Sequence, residues 1–393
     1  MVTTITAETL RDDIDSNKDF TLIDTRTEQA YLEWHIKGAL NLPFSPSDEE
    51  IKVEKFDELQ KEHEFGKTDP IVTICAEGIS SFDFAERLES KGFTDVKVVE
   101  GGMKAWSGVY DVVPIATENP HLQIIQLQRR AKGCLGYLVG SDNTGQAIAI
   151  DVPRHTRRFI EAAADYGFQI QAVFDTHIHA DHISGGPKLA KELDVPYYLG
   201  SEAAKRNPQL EYNPLDANQV VELEDIQIKA LHTPGHTTEM TSWLINDEAL
   251  VSGDTLFLDS IGRTELEFEA EGAREGARMQ YDSLTGKVLS LPDTVKVLPG
   301  HFSLSDSGEA IGVIPGTPMF STIKYLRTNN RALQMSREDF VEYMFNNTPS
   351  KPPNYEDIIE LNLGKREPKD QQEAIELELG PNRCAASEES MVE

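Results

Sequence analysis

The chain has 393 residues, which is more than one ordinary hydrophobic core requires and therefore indicates at least two domains. Hydrophobic residues make up 39% and aromatic residues 8%, so the chain can build packed cores and is not of the disordered class. Its 67 acidic and 37 basic residues give a net charge of −30, which argues against nucleic acid and anionic membranes as partners. The charge suits a solvated surface that resists association, and adaptation to high intracellular salt is the alternative.

The N-terminal segment and the cysteine content both favour a cytoplasmic location. The segment "MVTTITAETLRDDIDSNKDF" is acidic and lacks the basic and apolar regions of a signal peptide, and no apolar run is long enough to cross a bilayer. The three cysteines, Cys75, Cys134 and Cys384, are too few and too scattered for a disulfide framework. We expect a reducing compartment, and we expect Cys134 and Cys384 to be buried without an assignable role.

The first part of the chain, residues 1–112, alternates strand-like and helix-like segments. In chain order these are "TLRDDIDS" (helix), "FTLIDTR" (strand), "PIVTICA" (buried strand), "SSFDFAERLESKG" (helix) and "DVKVVEGG" (strand). Strands that alternate with helices predict a parallel sheet covered on both faces, and hence an α/β domain. Residues 113–120 then lose periodicity and contain prolines, which predicts a linker.

Residues 121–345 have a different texture, with short strands separated by turn signals. "LQIIQLQR", "LGYLVG" and "QAIAIDV" are typical of antiparallel strands, and "RHTRRFIEAAADYG" predicts an amphipathic helix that ends at Gly167. "QIQAVFDTH" is a strand that runs directly into a cluster of histidines, and residues 318–345 look helical. Residues 346–393 are predicted to form a C-terminal extension with a frayed acidic tail.

Four separated segments carry metal-binding side chains, and each segment follows a strand-like run. The candidates are His177, His179, Asp181 and His182 in "HIHADH", His236 in "PGH", Asp254 in "GD" and His301 in a second "PGH". Strand ends are rigid whereas the loops beyond them can aim side chains at one point. Imidazole and carboxylate groups suit zinc, iron or manganese, and the lack of cysteine in these motifs disfavours a structural zinc knuckle. The sequence therefore predicts a metal site and leaves the metal open.

In their order and spacing these motifs resemble the metallo-β-lactamase superfamily over residues 121–345. The resemblance implies an αββα sandwich of two mixed sheets with the site at their shared edge. Most members are dinuclear zinc hydrolases in which a bridging hydroxide attacks a carbonyl or a phosphorus.

Within that superfamily, "THIHADHISGG" together with "IGRTE" is most similar to the persulfide dioxygenases, relatives of glyoxalase II. The resemblance implies one Fe(II) per chain, held by His177, His236 and Asp254 in the two-histidine, one-carboxylate arrangement that leaves positions open for sulfur and O₂. The other four candidates then surround these ligands or bind a second metal ion: His179, Asp181, His182 and His301. Two Zn(II) ions, as in a hydrolase, are the alternative.

The same resemblance implies that Arg263 pairs with a carboxylate of the thiol carrier, typically glutathione, because a planar guanidinium suits that task. A structural salt bridge is the alternative for Arg263. The family usually has aspartate two residues later, where this chain has Glu265.

The upstream segment "VTICAEGISS" places Cys75 at the end of a buried strand, before a glycine-containing loop and a helix. Backbone N–H groups of such a loop stabilise a thiolate or an anionic sulfur, and an inert buried cysteine is the alternative. The flanking "LIDTRTEQAYLEWHIKGALNLP" and "VVEGGMKAW" resemble the rhodanese domain, which implies that Cys75 carries a persulfide. Gly78 and Ser80 would then contact the substrate, although Ser80 stands where the family usually has an arginine.

The sequence thus predicts an α/β rhodanese-like parallel-sheet domain followed by an αββα metallo-β-lactamase sandwich domain. The implied function is oxidation of a small thiol persulfide by O₂ to sulfite and free thiol, with sulfane-sulfur transfer at Cys75. A dinuclear zinc thioester hydrolase of the glyoxalase II type is the alternative, followed by a non-catalytic sulfur-binding or sensory protein. No nucleic acid or membrane partner is expected, and a homo-oligomer is left open.

Overall fold

The first part of the chain forms a sheet that is parallel throughout. The computed structural model describes residues 2–45, 47, 53–268, 272–305, 307–348, 350–352 and 354–386. The first five strands lie in the order β1-β5-β4-β2-β3. They are β1 (Thr3–Ile5), β2 (Thr21–Asp24), β3 (Leu40–Asn41), β4 (Ile71–Ile74) and β5 (Val96–Val99), and the helices between and after them are α1 (Ala7–Asp15), α2 (Glu28–Glu33), α3 (Val53–Glu62), α4 (Ile79–Ser90) and α5 (Gly102–Trp106).

Apolar clusters cover both faces of this sheet, and strand periodicity explains how. Successive side chains of a strand point to opposite faces, so in β4 Ile71 joins one cluster and Val72 the other. The four residues of β4 are consequently all buried. The parallel, doubly covered sheet predicted from the sequence is confirmed.

Two mixed sheets follow. The seven-stranded sheet has the order β12-β11-β10-β9-β8-β7-β6 and the six-stranded sheet the order β13-β14-β15-β16-β18-β19. The strands are β6 (Tyr110–Ile115), β7 (Leu122–Arg129), β8 (Cys134–Ser141), β9 (Gln146–Ile150), β10 (Gln169–Phe174), β11 (Tyr197–Gly200), β12 (Asn213–Leu215), β13 (Val220–Leu223), β14 (Ile226–His232), β15 (Thr241–Ile245), β16 (Ala249–Gly253), β17 (Ile261–Gly262), β18 (Lys296–Pro299) and β19 (Ser321–Thr322).

The two mixed sheets pack face to face, with helices on their outer faces. Phe174 from one sheet contacts Trp243 from the other across the central core, with ring centroids 5.2 Å apart. The outer helices are α6 (Thr156–Asp165), α7 (Gly186–Leu193), α8 (Ala273–Ser283), α9 (Ile323–Asn329) and α10 (Arg337–Asn346). Phe159 of α6 packs on the first sheet and Phe340 of α10 on the second. The predicted αββα sandwich is confirmed.

Strand β6 runs across the predicted end of the first domain at residue 112. It pairs antiparallel with β7 from Tyr110↔Arg129 to Ile115↔Ile124. Residues 113–115 therefore lie in the sandwich sheet rather than in the linker predicted over 113–120, because backbone pairing with β7 overrides the weak local signal of Pro114. The division of the chain into domains otherwise stays a prediction.

The C-terminal segment packs against the sandwich. It contains α11 (Tyr355–Asn362), α12 (Gln371–Leu377) and β20 (Ala385–Ala386), and β20 pairs antiparallel with β17. The acidic tail predicted at the end of the chain, residues 387–393, lies outside the described residues. Within the described part, no helix has the length and apolar character that a membrane span requires.

Candidate metal centre

The seven candidate residues meet at one edge of the sandwich because each follows the end of a strand. The loop after β10 supplies four of them, and the loops after β14, β16 and β18 supply one each. All seven are at most 3% exposed: His177, His179, Asp181, His182, His236, Asp254 and His301. The sequence-based expectation that these loops converge agrees with this geometry.

Three of these residues face one another at the distances expected of shared metal ligands. His236 Nε2 lies 3.4 Å from Asp254 Oδ2, and His177 Nε2 lies 4.0 Å from the same oxygen. Two ligand atoms bound to one ion at about 2.1 Å are at most about 4.2 Å apart. The observed separations are therefore within reach of a single ion.

Hydrogen bonds orient both imidazoles so that Nε2 keeps its lone pair. His236 Nδ1 lies 2.7 Å from the carbonyl oxygen of Arg263, which only accepts, so Nδ1 carries the proton. His177 Nδ1 lies 2.9 Å from Thr176 Oγ1, whose own proton is directed to the carboxylate of Asp151. Fixing the far nitrogen by a hydrogen bond is how metal-binding histidines are usually held.

Unpaired buried atoms test whether a metal fits here. His177 Nε2, His236 Nε2 and Asp254 Oδ2 are fully buried and make no hydrogen bond with any described residue. Leaving buried polar atoms unpaired is costly unless a ligand satisfies them. Burial also lowers the pKa of His177 well below its usual value, which keeps the imidazole in the neutral form that binds metals. The donor set therefore fits a divalent cation.

Asp181, His182 and His301 form a second cluster whose members largely satisfy one another. Asp181 Oδ1 lies 3.0 Å from His182 Nδ1, and Asp181 Oδ2 lies 3.0 Å from His301 Nε2. The other nitrogen of His301, Nδ1, lies 2.8 Å from Asp254 Oδ1. Burial lowers the pKa of His301, but Asp254 and Asp181 outweigh it and hold that pKa well above the usual histidine value. This cluster connects to the first through Asp254.

His179 lies between the two clusters, with its ring centroid 4.2 Å from those of His177 and His182, but its nearest carboxylate belongs to neither cluster. Its Nε2 is 3.4 Å from Asp151 Oδ1, and His179, Asp151 and Asp175 form a third compact group of buried ligand-type side chains. Burial raises the pKa of Asp175 to about 6. The structure therefore places His179 beside carboxylates and not beside Asp254.

Two cysteines without an assigned role in the sequence lie at this centre. Cys134 Sγ is 3.4 Å from Asp181 Oδ2 and 3.6 Å from His182 Nδ1. Cys384 groups with Asp254 and His301, with ligand atoms within 4.8 Å of one another. Both thiols are buried, as expected, but their position was missed because neither belongs to a motif.

The C-terminal segment holds the histidine-rich loop in place, which the sequence did not predict. Asn362 Nδ2 donates 2.8 Å hydrogen bonds to the carbonyl oxygens of His179 and His182, and Asn362 Oδ1 accepts from the N–H of Ser184. Glu378 Oε1 accepts from the N–H of Ile183 at 2.6 Å. The loop is therefore clamped from outside the sandwich.

Arg263 is fully buried, and its guanidinium is occupied by protein groups. It pairs with Glu265, and its Nη1 donates to the carbonyl oxygens of Ser350 and Arg383 at 3.0 and 2.9 Å. This is the structural ion pair that the sequence left open as the alternative. Binding of a carrier carboxylate by Arg263 stays a prediction.

Cys75 occupies the loop between β4 and α4, in a setting that favours its thiolate. Its sulfur accepts hydrogen bonds from the N–H of Gly78 at 3.1 Å and from the hydroxyl of Ser81 at 3.3 Å. Burial raises the pKa of Cys75, but hydrogen bonds from Ser80 and Ser81 outweigh it, so the pKa lies below its usual value. A lowered pKa is one condition for a reactive cysteine; solvent access is the other, and Cys75 is 3% exposed.

Gly102 explains why the "EGGMKAW" segment sits against this loop. It has a φ of +56°, and a Cβ there would lie 2.2 Å from the carbonyl oxygen of Cys75. The N–H of Met103 donates to that same oxygen at 2.8 Å. Only glycine permits this approach, so the "VVEGGMKAW" motif quoted above lies directly against the Cys75 loop.

Comparisons with known proteins match both parts of the chain. Residues 6–108 match the rhodanese-like domain, and residues 136–301 match the metallo-beta-lactamase superfamily. A hydroxyacylglutathione hydrolase of Rhodopseudomonas palustris is 31% identical over 182 residues, which is 46% of this chain and 67% of that protein. The mitochondrial persulfide dioxygenase of Homo sapiens is 26% identical over 229 residues, which is 58% of this chain and 82% of that protein.

Two solved structures support the fold of the sandwich. A metallo-beta-lactamase from Staphylococcus aureus is 27% identical with a TM-score of 0.56 and covers 62% of this chain and 72% of its own. ETHE1 from Myxococcus xanthus is 26% identical with a TM-score of 0.53 and covers 62% of this chain and 98% of its own. Relatives of both the hydrolase and the dioxygenase type are therefore present.

Proposed function

Because the chain belongs to the metallo-β-lactamase superfamily and carries a rhodanese-like domain before that fold, we propose that it is a persulfide dioxygenase coupled to sulfur transfer. The reaction is thiol persulfide plus O₂ plus water to free thiol plus sulfite. The outer sulfur is oxidised, the S–S bond breaks, and the inner sulfur leaves as the thiol. The observation that supports this most is the set of three unpaired, mutually facing atoms on His177, His236 and Asp254.

These three residues would hold a single Fe(II). Two imidazoles and one carboxylate are the ligand set of non-haem Fe(II) oxygenases, which leaves coordination positions open. Bound there, iron would supply the redox chemistry that activates O₂, which zinc lacks.

Neighbouring residues of the chain would orient these ligands and exclude water. His301 Nδ1 holds Asp254 Oδ1 at 2.8 Å, which leaves Oδ2 directed at the two histidines. The carbonyl oxygen of Arg263 fixes the ring of His236. Because all these groups are buried, water has little access to the oxidised sulfur.

Cys75 would carry sulfane sulfur in the first domain. Its thiolate attacks the outer sulfur of a donor persulfide, the donor's S–S bond breaks, and the donor leaves as a thiol. The N–H of Gly78 and the hydroxyls of Ser80 and Ser81 would stabilise the anionic sulfur. Tethering this carrier to an oxidase raises its effective concentration, whereas a thioesterase has no use for sulfane sulfur.

A dinuclear zinc thioester hydrolase is the second candidate. It is favoured by the hydroxyacylglutathione hydrolase relatives and by the cluster of Asp181, His182 and His301 beside Asp254. Two zinc ions would occupy both clusters in that case.

Metal analysis combined with two assays tests these candidates. Protein purified without added metal is analysed for iron and zinc, and is assayed for O₂ uptake with a persulfide and for cleavage of a glutathione thioester. One iron per chain with O₂ uptake supports the dioxygenase, whereas two zincs with thioester cleavage supports the hydrolase. His177→Ala should lose the metal, while His121→Ala, an exposed histidine outside the centre, should retain it.

A further inference from the structure

A cavity of about 540 Å³ leads from the surface to His301. Because His301 lines the cavity and contacts both Asp254 and Asp181, the cavity borders the metal centre through His301. A volume between about 300 and 1,000 Å³ is typical of small-molecule sites. The cavity therefore has the position and the size for the thiol carrier of the substrate.

The walls of this cavity are largely apolar. Leu258, Ile311, Val313 and Phe320 line it, and all of these except Ile311 also pack against the core between the two sheets. The wall is therefore a built surface that would cover the apolar part of a ligand.

The charged groups of the cavity do not suit a carboxylate. Among the described lining residues the only permanently charged side chain is Asp259, and neither lysine nor arginine is present. Arg263, the cation that the resemblance nominates for a carboxylate, is buried against Glu265 and lies outside the lining. Both ring nitrogens of His301 are already engaged by Asp254 and Asp181, so a ligand carboxylate in this cavity would be desolvated without a free cationic partner among the described lining residues, which is unfavourable.

We propose that the persulfide oxidised here is carried by a small thiol without carboxylates, uncharged or bearing an amine, and not by glutathione. This inference rests on the proposed function and names its substrate class. The apolar walls bind the aliphatic body of the thiol, and Asp259 attracts an ammonium where one is present. The net charge of −30 acts in the same direction, because it disfavours approach of an anionic carrier.

A panel of three thiols tests the proposal in two independent ways. N-acetylcysteamine is neutral, cysteamine is cationic and glutathione carries two carboxylates. We expect kcat/KM for O₂ uptake with the first two persulfides to exceed that with glutathione persulfide by roughly tenfold or more. The free thiols are also titrated against the metal-loaded protein by calorimetry, and we expect the same order of affinity.

Variants of the cavity wall sharpen the test. Val313→Arg supplies the missing cation and should raise kcat/KM for glutathione persulfide several-fold while lowering it for cysteamine persulfide. Val313→Met has a comparable length without charge, so it should leave the ratio of the two kcat/KM values unchanged even where it alters both values. Asp259→Lys should shift the preference towards glutathione persulfide, as Val313→Arg does. Asp216→Lys makes the same charge change on an exposed turn after β12 and should leave the preference unchanged.

The outcomes separate this inference from the proposed function. If glutathione binds or reacts better than both carboxylate-free thiols in the unmodified protein, the substrate class is wrong although the dioxygenase stands. If no persulfide supports O₂ uptake, the proposed function fails, and the calorimetric order of the free thiols still decides what the cavity binds. An unchanged preference in Val313→Arg would show that the cavity does not hold the carrier.

Discussion

Replacing Glu378 by glutamine should destabilise the sandwich domain, because Glu378 is a fully buried carboxylate shared by two arginines. Its Oε2 lies 2.6 Å from Arg154 Nε and 3.1 Å from Arg129 Nη2, and its Oε1 accepts the N–H of Ile183 beside the metal centre. Glutamine keeps the shape of the side chain but removes the charge. Arg129, which is 1% exposed, then loses its carboxylate partner.

Two independent arguments give a similar magnitude. Burial raises the pKa of Glu378, but Arg129 and Arg154 outweigh it and lower that pKa to about 2. Relative to an unfolded value of about 4.3, the shift corresponds to about 3 kcal/mol of stability at neutral pH. Removal of one partner from a buried ion pair typically costs about 3–5 kcal/mol. We therefore expect Glu378→Gln to lower the free energy of unfolding by about 3 kcal/mol.

The same pKa shift predicts how the effect depends on pH. A carboxylate whose pKa is lowered in the folded state stabilises it above the unfolded pKa and loses that contribution as pH falls to the folded pKa. The difference between the original protein and Glu378→Gln should therefore be full above about pH 5 and shrink between about pH 4.5 and pH 2.

Urea unfolding followed by circular dichroism measures this prediction at pH 7 and at pH 3.5. Glu376→Gln is the matched control, because Glu376 is 57% exposed and lies 3.8 Å from Lys104, so its loss should cost less than about 1 kcal/mol. The reasoning would be refuted if Glu378→Gln lowered the free energy of unfolding no more than the control does. It would also be refuted if the difference in this free energy between the original protein and Glu378→Gln were the same at both pH values.

Four further substitutions test the site, and a change of salt concentration tests the surface. Asp254→Ala should abolish metal binding and O₂ uptake while the first domain stays folded; retention of metal by elemental analysis together with full activity would mean that the centre is misplaced. Cys75→Ser should abolish sulfur transfer to small thiols but leave O₂ uptake with a free persulfide intact, and unchanged transfer would make the first domain a binding module. Ser80→Arg should raise thiosulfate turnover in a sulfurtransferase assay by restoring a cation at the loop, whereas no gain would show that the loop lacks that geometry. Asn362→Ala removes three hydrogen bonds to the histidine-rich loop, so it should lower the free energy of unfolding in urea by about 3 kcal/mol and weaken metal binding in a chelator competition. Asn329→Ala, at an exposed position of α9, is the control and should change neither quantity. If the charge of −30 reflects high-salt adaptation, the melting temperature should fall as salt is lowered from molar to about 0.1 M, where the Debye length is roughly 10 Å; a constant value would exclude the idea.

The sequence by itself determined the two folds and nominated seven candidate ligands, which the structure brings to one edge of the sandwich. The strand "PIVTICA" is apolar apart from Thr73 because both of its faces are covered, and this pattern can be recognised without coordinates. The ligand-type residues were found because each follows a strand, and strand ends at one sheet edge converge. Both patterns involve residues that are close together along the chain, so they can be recognised in a single sequence.

Only the tertiary structure decided which of these residues face one another and what surrounds them. "HIHADH" supplies four candidates from six consecutive positions, but only His177 faces His236 and Asp254, whereas His179 turns to Asp151 and Asp181 to His301. The direction in which each of these side chains points depends on partners that lie far away along the chain.

The groups that surround the centre could not be predicted from the sequence either, because they come from segments far apart along the chain. Ile183 and Glu378 are 195 positions apart, and Cys134 lies 47 positions from Asp181, so no spacing rule connects them. Arg263 shows the limit most directly, because its motif nominated a ligand contact but could not show that the fold surrounds it with Glu265 and backbone carbonyls. Sequence determines which chemical groups are available, whereas burial and long-range hydrogen bonds decide which of them are satisfied by the protein and which remain open to a ligand.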